Sequence, residues 1–166
     1  MTTKKFANRL KDKFLINIPV ESVEASDLIG RCKFNFSYWD MKQEAGSGLA
    51  ELTEVQIKNL VEKIRLYSRE SLSHWQAERC GSGGLKVLEI YGEFPKKSDF
   101  VHPKSVPHDV RWARFRMDNL GRLVGFLVPA EHSFKKDEHN KFCYDCNTFY
   151  VVFVDLSHRF YKVEKK

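Results

Sequence analysis

The sequence predicts an α+β fold, a single domain in which a twisted antiparallel sheet of about five strands packs against one or two helices. The chain has 166 residues, the usual size of one domain. Apolar residues recur at helical spacing within the segment 53–79, and alternating apolar runs follow within 85–161. No repeat, linker or low-complexity tract divides residues 1–166, which favours one packed unit.

Two strand candidates make up the N-terminal region 14–39. The apolar run at 14–20 contains Pro19, which favours an edge position or a strand end. Residues 31–39 alternate, so that four side chains share one face: Cys32, Phe34, Phe36 and Tyr38. The aromatic residues of this stretch fit either a core or a small-molecule pocket, and the core interpretation is favoured: Phe34, Phe36, Tyr38 and Trp39.

The helical segment begins at a capping signal and ends at a glycine run. Thr53 followed by Gln56 is typical of a capping box in which Thr53 is the N-cap. The serine-containing stretch 68–73 can divide the segment into two helices. The glycine-rich sequence at 80–84 is a strong helix stop.

The second half of the chain contains four strand candidates: 85–91, 110–117, 122–128 and 148–154. The segment between the second and third contains Asn and Gly, which suit a hairpin turn at 118–121. The loop before the second candidate places His102 and His108 next to prolines. This loop either flanks a groove or is a surface excursion stiffened by proline, and the second interpretation is favoured.

Composition and charge narrow the classes of function. Aromatic residues make up 13% of the chain, which excludes a disordered protein. No apolar run approaches the ~18 residues of a membrane helix, and no secretory signal is visible, so we expect a cytoplasmic protein without a membrane partner. The 28 Lys and Arg residues against 22 Asp and Glu give a net charge of +6, which favours a polyanion or an acidic protein as partner.

The strand before the hairpin turn carries a mixed face of Trp112, Arg114 and Arg116. Guanidinium groups bind phosphates bidentately, and an indole ring can stack on a base. These three residues are therefore the candidate RNA-binding surface. The alternative is an exposed face whose arginines pair with carboxylates such as Glu89 or Asp118.

The C-terminal sequence DLSHRFY at 155–161 offers catalytic side chains after the last strand. His158 can act as an acid or a base, because imidazole titrates near neutral pH. Arg159 can hold a phosphate, and Tyr161 can protonate a leaving oxygen. The alternative is a turn in which Asp155 accepts backbone hydrogen bonds, while Phe160 and Tyr161 complete the core.

The helix and the glycine turn are followed by the hairpin RFRMDNLGRLVGFLV and the strand FYVVFVDLSHRFY. This order of elements, over about residues 53–161, resembles the RelE/ParE superfamily of bacterial toxins and mRNA interferases. The resemblance implies an endoribonuclease that needs no metal and no cofactor and acts on mRNA at the ribosome. It also implies an acidic antitoxin-like protein that covers the basic face.

Carried onto this sequence, the resemblance implies that Arg114 and Arg116 contact the RNA backbone. It assigns the catalytic roles to four residues: Arg122, His158, Arg159 and Tyr161. Attack by a 2′-hydroxyl needs a proton acceptor, a proton donor and stabilisation of the phosphorane charge, which these residue types can supply. The expected function is therefore a RelE-like endoribonuclease or toxin-like protein acting on RNA.

The alternative function is a non-enzymatic interaction module. In this interpretation the same basic sheet face binds nucleic acid or an acidic protein, and the C-terminal residues only complete the fold.

A polar loop carries four residues with the ligand count of a tetrahedral zinc site, in the spacing H-x6-H-x3-C-x2-C: His132, His139, Cys143 and Cys146. The histidines lie among Lys and Asp residues, so a solvated loop with reduced thiols is favoured over structural zinc. A redox role is disfavoured as well, because Asp145 between the two cysteines opposes a thiolate.

Overall fold

The computed structural model describes Leu10, Leu15 and residues 22–117, 121–132 and 143–162. These residues form a five-stranded sheet, a two-stranded ribbon and two α-helices, which confirms the α+β class. The main sheet contains β1 (Lys33–Asn35), β4 (Leu88–Gly92), β5 (Arg111–Arg116), β6 (Arg122–Leu127) and β7 (Thr148–Asp155). The ribbon contains β2 (Arg79–Cys80) and β3 (Leu85–Lys86), and the helices are α1 (Glu54–Tyr67) and α2 (Leu72–Ala77).

The strand order of the main sheet is β1-β7-β6-β5-β4. Strands β4 to β7 pair antiparallel, as expected, whereas β1 pairs parallel with β7. Strand β1 is also shorter than the predicted 31–39. It ends at Asn35, whose side chain accepts a hydrogen bond from the Ser37 backbone N–H at 2.9 Å, and a turn from Phe36 to Trp39 follows.

The signals at the start of each helix are confirmed, whereas the second helix ends at Ala77, before the predicted glycine stop, because Arg79–Cys80 forms strand β2. Thr53 Oγ1 accepts from the Gln56 backbone N–H at 3.3 Å, and Gln56 Oε1 accepts from the Thr53 N–H at 2.8 Å, so both halves of the capping box form. The expected division also occurs, since Ser71 Oγ caps α2 by accepting from the His74 N–H at 3.1 Å.

The two helices cover one face of the sheet, which we call the helix face. Tyr67 at the end of α1 is the central contact, because its ring stacks on Phe115 of β5 with centroids 4.6 Å apart. The Tyr67 backbone carbonyl accepts from Trp75 Nε1 at 2.6 Å and from the buried Cys32 thiol at 3.0 Å. Phe34 of β1 packs against Phe115 in the same core, which confirms its predicted core role.

Loops cover the opposite face of the sheet, which we call the loop face. The segment between β4 and β5 places Phe100 and Val106 in this core, together with Phe160 from the C-terminal segment. All three side chains are nearly inaccessible to solvent. The loop with the proline-flanked histidines therefore contributes two side chains to the core, while His108 and most of its other residues lie at the surface, as the favoured interpretation expects.

A β-bulge in the middle of the sheet depends on a glycine. The register between β6 and β7 shifts at Gly125, and a Cβ there would collide with the Tyr150 carbonyl and lie 2.7 Å from Phe149 Cε1. Only a residue without a side chain allows the strands to approach so closely.

Some predicted features fall outside the described residues. Of the strand candidate at 14–20 only Leu15 is described, and residues 118–120 of the hairpin turn are not described. The hairpin itself is confirmed by the pairing of Arg116 with Arg122. No helix within the described ranges is long and apolar enough to cross a bilayer.

Candidate functional site

Three arginine side chains come together at one end of the loop face, and we call them the arginine cluster. Arg116 of β5 is opposite Arg122 of β6, and Arg122 is opposite Asp155 of β7. In the adjacent row, Arg114 is opposite Glu89 of β4. Residues that are directly opposite or two apart on a strand share a face, so the three guanidinium groups project from the same side.

Two tyrosine rings flank the arginine cluster. The guanidinium carbon of Arg114 lies 5.4 Å from the centroid of the Tyr91 ring, a cation–π distance. The Tyr161 ring stacks on the Tyr91 ring, with centroids 4.7 Å apart and planes 8° apart. Tyr161 is 43% exposed, so an accessible aromatic surface borders the arginines.

The cluster concentrates positive charge in a poorly solvated place. Arg122 is 6% exposed. Burial is the largest cause that lowers the pKa of Arg122, and together with the charges of Arg116 and Arg114 it brings this pKa to about 10, against the opposing effects of Tyr91 and Asp155. Arg122 Nη1 donates to the Gly121 carbonyl at 2.7 Å. Burial also raises the pKa of Tyr91 to about 12, so this hydroxyl stays protonated at neutral pH.

Two buried donors of this region have no hydrogen-bond partner among the described residues: Arg116 Nε and the Tyr91 hydroxyl. Arg114 and Arg116 also form no ion pair with any described carboxylate, so the expected pairing of Arg114 with Glu89 is not present. Asp118, the other expected partner, lies outside the described residues. An unsatisfied buried donor costs about 1–3 kcal/mol, and a bound anion would remove this cost.

Asp155 organises the turn that follows β7. Its Oδ1 accepts from the backbone N–H groups of Ser157 at 3.2 Å and Arg159 at 3.0 Å, and its Oδ2 accepts from Phe160 at 2.9 Å. The carboxylate is 1% exposed and Phe160 is buried in the loop-face core. The alternative of an Asp155 turn is therefore the arrangement that forms.

Two of the four predicted catalytic residues, Arg122 and Tyr161, adjoin Tyr91, and the other two lie elsewhere. His158 is exposed, occupies the left-handed region at φ 58°, and forms no hydrogen bond or ion pair with described residues. Arg159 Nε donates to Asp99 Oδ2 at 2.9 Å, and Lys162 pairs with the same carboxylate. The expected convergence of His158 and Arg159 on Arg122 is not observed, because the Asp155 turn directs the chain toward the loop layer.

Trp112, the third residue of the predicted RNA-binding surface, is 1% exposed. Its ring packs against Phe94 and Phe160 from the loop layer, with centroids 4.9 and 5.7 Å apart. The prediction of an accessible indole is wrong, since the segment after β4 folds over this part of the face. Only Arg114 and Arg116 of the three reach the partly exposed end.

The arginine cluster and its stacked tyrosines are the part of the loop face best suited to bind a charged ligand. No family model, curated protein or solved structure matches this chain. The RelE/ParE relationship therefore stays a prediction, and the function is inferred from the chemistry of the cluster.

The predicted zinc ligands are only partly described, because His139 lies outside the described residues. Cys146 Sγ donates to the Pro129 carbonyl at 3.4 Å, and burial, Asp145 and Glu131 raise the pKa of its thiol. His132 Nε2 lies 3.8 Å from an Asp109 carboxylate oxygen. The described residues contain no group of three or more metal-ligating side chains, and zinc binding stays a prediction.

Tyr91 is the site residue that sequence reasoning missed. The sequence pattern predicts only that Tyr91 is the last residue of the strand candidate 85–91. The usable signal was its shared face with Glu89, which is opposite the arginine strand in an antiparallel sheet. The stacking of Tyr161 on Tyr91 could not be predicted, because it depends on the direction of the Asp155 turn.

Proposed function

We propose that this protein is a non-enzymatic RNA-binding module that holds a backbone phosphate in the arginine cluster. The observation that carries the proposal is a pair of buried donors, Arg116 Nε and the Tyr91 hydroxyl, which have no hydrogen-bond partner in the described ranges and lie beside two further guanidinium groups. A phosphate oxygen accepts from several donors at once and neutralises the mutual repulsion of Arg114, Arg116 and Arg122.

Features beyond the cluster favour nucleic acid over a small free anion. The chain has a net charge of +6, which attracts a polyanion over long range. The exposed ring of Tyr161 lies against Tyr91 and can stack on a base, and each such stack contributes about 1–3 kcal/mol. Arginines for the backbone beside an aromatic ring for a base are the usual elements of a single-strand binding surface.

A second candidate function is RNA cleavage at the same place. It is favoured by one observation, namely that Arg122 and Tyr161 both adjoin Tyr91. In this case the 2′-hydroxyl passes its proton to solvent water as it attacks the phosphate, Arg122 stabilises the developing phosphorane charge, and Tyr161 donates a proton to the leaving oxygen. His158 and Arg159 have no part in this version, because they lie outside the cluster.

Binding is tested with a fluorescent single-stranded RNA of about 12 nucleotides whose 2′-hydroxyls are methylated, which prevents 2′-attack. Fluorescence anisotropy is measured over a salt series for the wild type, Arg114→Ala and Arg116→Ala. The matched control is Arg111→Ala, which removes an exposed arginine from the other face of the same strand. Each cluster variant is expected to bind about tenfold more weakly and to lower the salt slope by roughly 0.7, one phosphate contact.

The control decides what a loss of affinity means. Arg111→Ala is expected to bind within about twofold of the wild type, since non-specific charge is only one part of the interaction. Equal losses in Arg111→Ala and Arg116→Ala contradict a defined phosphate site. Tighter binding of polyglutamate than of RNA contradicts the RNA proposal in favour of an acidic protein partner.

Cleavage is tested with unmodified RNA, with and without ribosomes, by mapping 5′ ends. The substitution Tyr161→Phe removes only the hydroxyl, so loss of discrete cuts in this variant would support the second candidate. Intact RNA under conditions of saturated binding leaves the binding module as the function.

A further inference from the structure

A cavity of about 230 Å³ opens at the other end of the loop face, away from the arginine cluster. Four aromatic side chains contribute to its lining, and we call it the aromatic cavity: Tyr38, Phe126, Tyr144 and Tyr150. Asp109 and His132 supply its polar groups. Ligand pockets for drug-sized molecules usually measure about 300–1,000 Å³, so this cavity suits a small group or the end of a longer side chain.

The rings around the cavity are held by one another. Phe126 and Tyr150 stack with centroids 4.9 Å apart and planes 5° apart. The Tyr38 ring stands nearly perpendicular to both, at 78° to Phe126 and 82° to Tyr150. Two walls that meet almost at a right angle are therefore built before any ligand arrives. Such preorganisation reduces the entropy lost on binding.

The acidic residue of the described cavity lining is Asp109, although the whole chain is basic. Its side chain is 74% exposed, and no Lys or Arg is among the described lining residues. Burial raises the pKa of Tyr150, and the charge of Asp145 acts in the same direction. Asp145 pairs with Lys33, whose Nζ lies 3.2 Å from Asp145 Oδ2, so Asp109 supplies the charge at the rim of the cavity.

Aromatic faces and carboxylates attract the same kind of ligand. The negative face of a π-system binds a cation, and quaternary ammonium groups are bound in proteins by several aromatic rings at once. An anion is repelled by the Asp109 carboxylate, and a purely apolar ligand gains nothing from it. A methylated ammonium group matches the rings by its methyl surface and Asp109 by its charge.

We propose that the aromatic cavity is a binding site for a trimethylammonium group. The group can belong to a free small molecule or to a trimethylated lysine of a peptide, since both present the same head to the rings. Tyr38, Tyr144 and Tyr150 surround the methyl groups, and Asp109 balances the charge at the rim. The proposal is independent of RNA binding, because it shares no residue with the arginine cluster.

The test compares choline with 3,3-dimethylbutan-1-ol, its neutral isostere, in which carbon replaces nitrogen. Both are titrated into isotope-labelled protein, and backbone amide shifts are followed by NMR. Choline is expected to bind at least tenfold more tightly than the isostere, because only choline carries the charge that the aromatic faces attract. A trimethyllysine peptide and its unmethylated counterpart form a second arm that distinguishes the two sources of the ligand.

Two exposed lining residues provide variants that leave the core intact. Tyr144→Ala removes a ring that is 54% exposed, and Asp109→Asn removes the rim charge. Each is expected to weaken choline binding about threefold or more. Asp27→Asn, a carboxylate outside the cavity, is the control and should bind as the wild type does.

Several outcomes would overturn the proposal. Equal affinity for choline and its neutral isostere would show that the cavity is only an apolar pocket. Choline shifts that survive unchanged in both Tyr144→Ala and Asp109→Asn would place the binding elsewhere. If none of the four compounds shifts any amide resonance at ~10 mM, the affinity of the cavity is too weak for a specific site, and the proposal is wrong.

Discussion

The two ends of the loop face are built on the same strands and differ in how their charges are compensated. At one end β5 and β6 present Arg114, Arg116 and Arg122, and within the described part of the chain Arg116 Nε and the Tyr91 hydroxyl are buried without a hydrogen-bond partner. At the other end the same sheet presents Phe126 and Tyr150, with Asp109 at the rim. Strand alternation puts both sets on one face, and only the covering loops decide what each end can bind.

One face of a sheet can therefore offer two places that suit ligands of opposite charge. The central part between them is filled by Trp112 and Phe153, whose rings stack at 5.9 Å, and by Phe160. This aromatic layer separates the arginines from the aromatic cavity. A substitution that damages the shared framework should disable both ends, and a substitution at one end should leave the other intact.

The largest effect is expected from Gly125→Ala, which breaks the framework that both ends share. The new Cβ would collide with the Tyr150 carbonyl and lie 2.7 Å from Phe149 Cε1, so the strands must separate. We expect a loss of about 3 kcal/mol or more in the free energy of unfolding. Urea denaturation followed by circular dichroism measures it, and a loss below about 1 kcal/mol would contradict the described bulge.

The next effect is expected from Asp155→Asn, which damages the turn beside the arginine cluster. Only the oxygen of the asparagine side chain accepts hydrogen bonds, because its nitrogen is a donor, so it cannot serve all three backbone N–H groups. We expect the free energy of unfolding to fall by about 2 kcal/mol. His158→Gly is the comparison, because glycine adopts the left-handed backbone of His158 without cost. Thermal unfolding should leave this variant as stable as the wild type or slightly more stable.

A smaller effect separates binding from stability at the arginine end. Tyr91→Phe removes a buried hydroxyl that has no hydrogen-bond partner among the residues described, so the stability at neutral pH should be unchanged or higher. The affinity for RNA should fall about threefold, since one donor to the phosphate is lost.

The same variant has a predicted alkaline signature. Burial raises the pKa of Tyr91 from 10.0 to about 12, so the folded state binds the phenolic proton more tightly than the unfolded chain. Stability is therefore complete below pH 10 and is lost as the pH rises through about 12. Tyr91→Phe should lose less stability over this window than the wild type, and an identical pH profile for the two proteins would contradict the burial of this hydroxyl.

The smallest effect is expected from Arg159→Ala. The ion pair of Arg159 with Asp99 lies at the surface, where water and salt screen the attraction, so we expect little change in the free energy of unfolding. RNA affinity should match that of the wild type, because Arg159 lies outside the cluster. A tenfold loss in anisotropy experiments would return Arg159 to the site that the RelE/ParE resemblance assigned to it.

Local patterns in the sequence were sufficient for most of the fold. The Thr53 capping box, the break before Ser71 and the β5–β6 hairpin each depend on neighbouring residues and were predicted. The parallel pairing of Lys33 with Thr148 was not, because it joins residues more than a hundred positions apart. No local signal records which edge of a sheet receives a distant strand.

For the arginine cluster, the sequence could predict which side chains share a face of a strand, but not which of them are accessible. Alternation correctly placed Trp112, Arg114 and Arg116 together, but it does not show what covers each of them. Trp112 is buried because Phe94 and Phe160 arrive from segments on either side of it in the chain. The role of Asp155 was open for the same reason, since a carboxylate before a turn suits either chemistry or backbone hydrogen bonds.

The proposed phosphate site in the arginine cluster is tested most directly by observing the Arg116 Nε–H group itself. Protein labelled with ¹⁵N-arginine is titrated with the 2′-O-methylated RNA, and the side-chain Nε–H resonances are followed by NMR. We predict a large shift and slowed hydrogen exchange for Arg116 at stoichiometric RNA, with the Arg111 resonance unchanged. Equal small shifts at both arginines, or none at Arg116 while RNA is bound, would contradict a phosphate site in the arginine cluster.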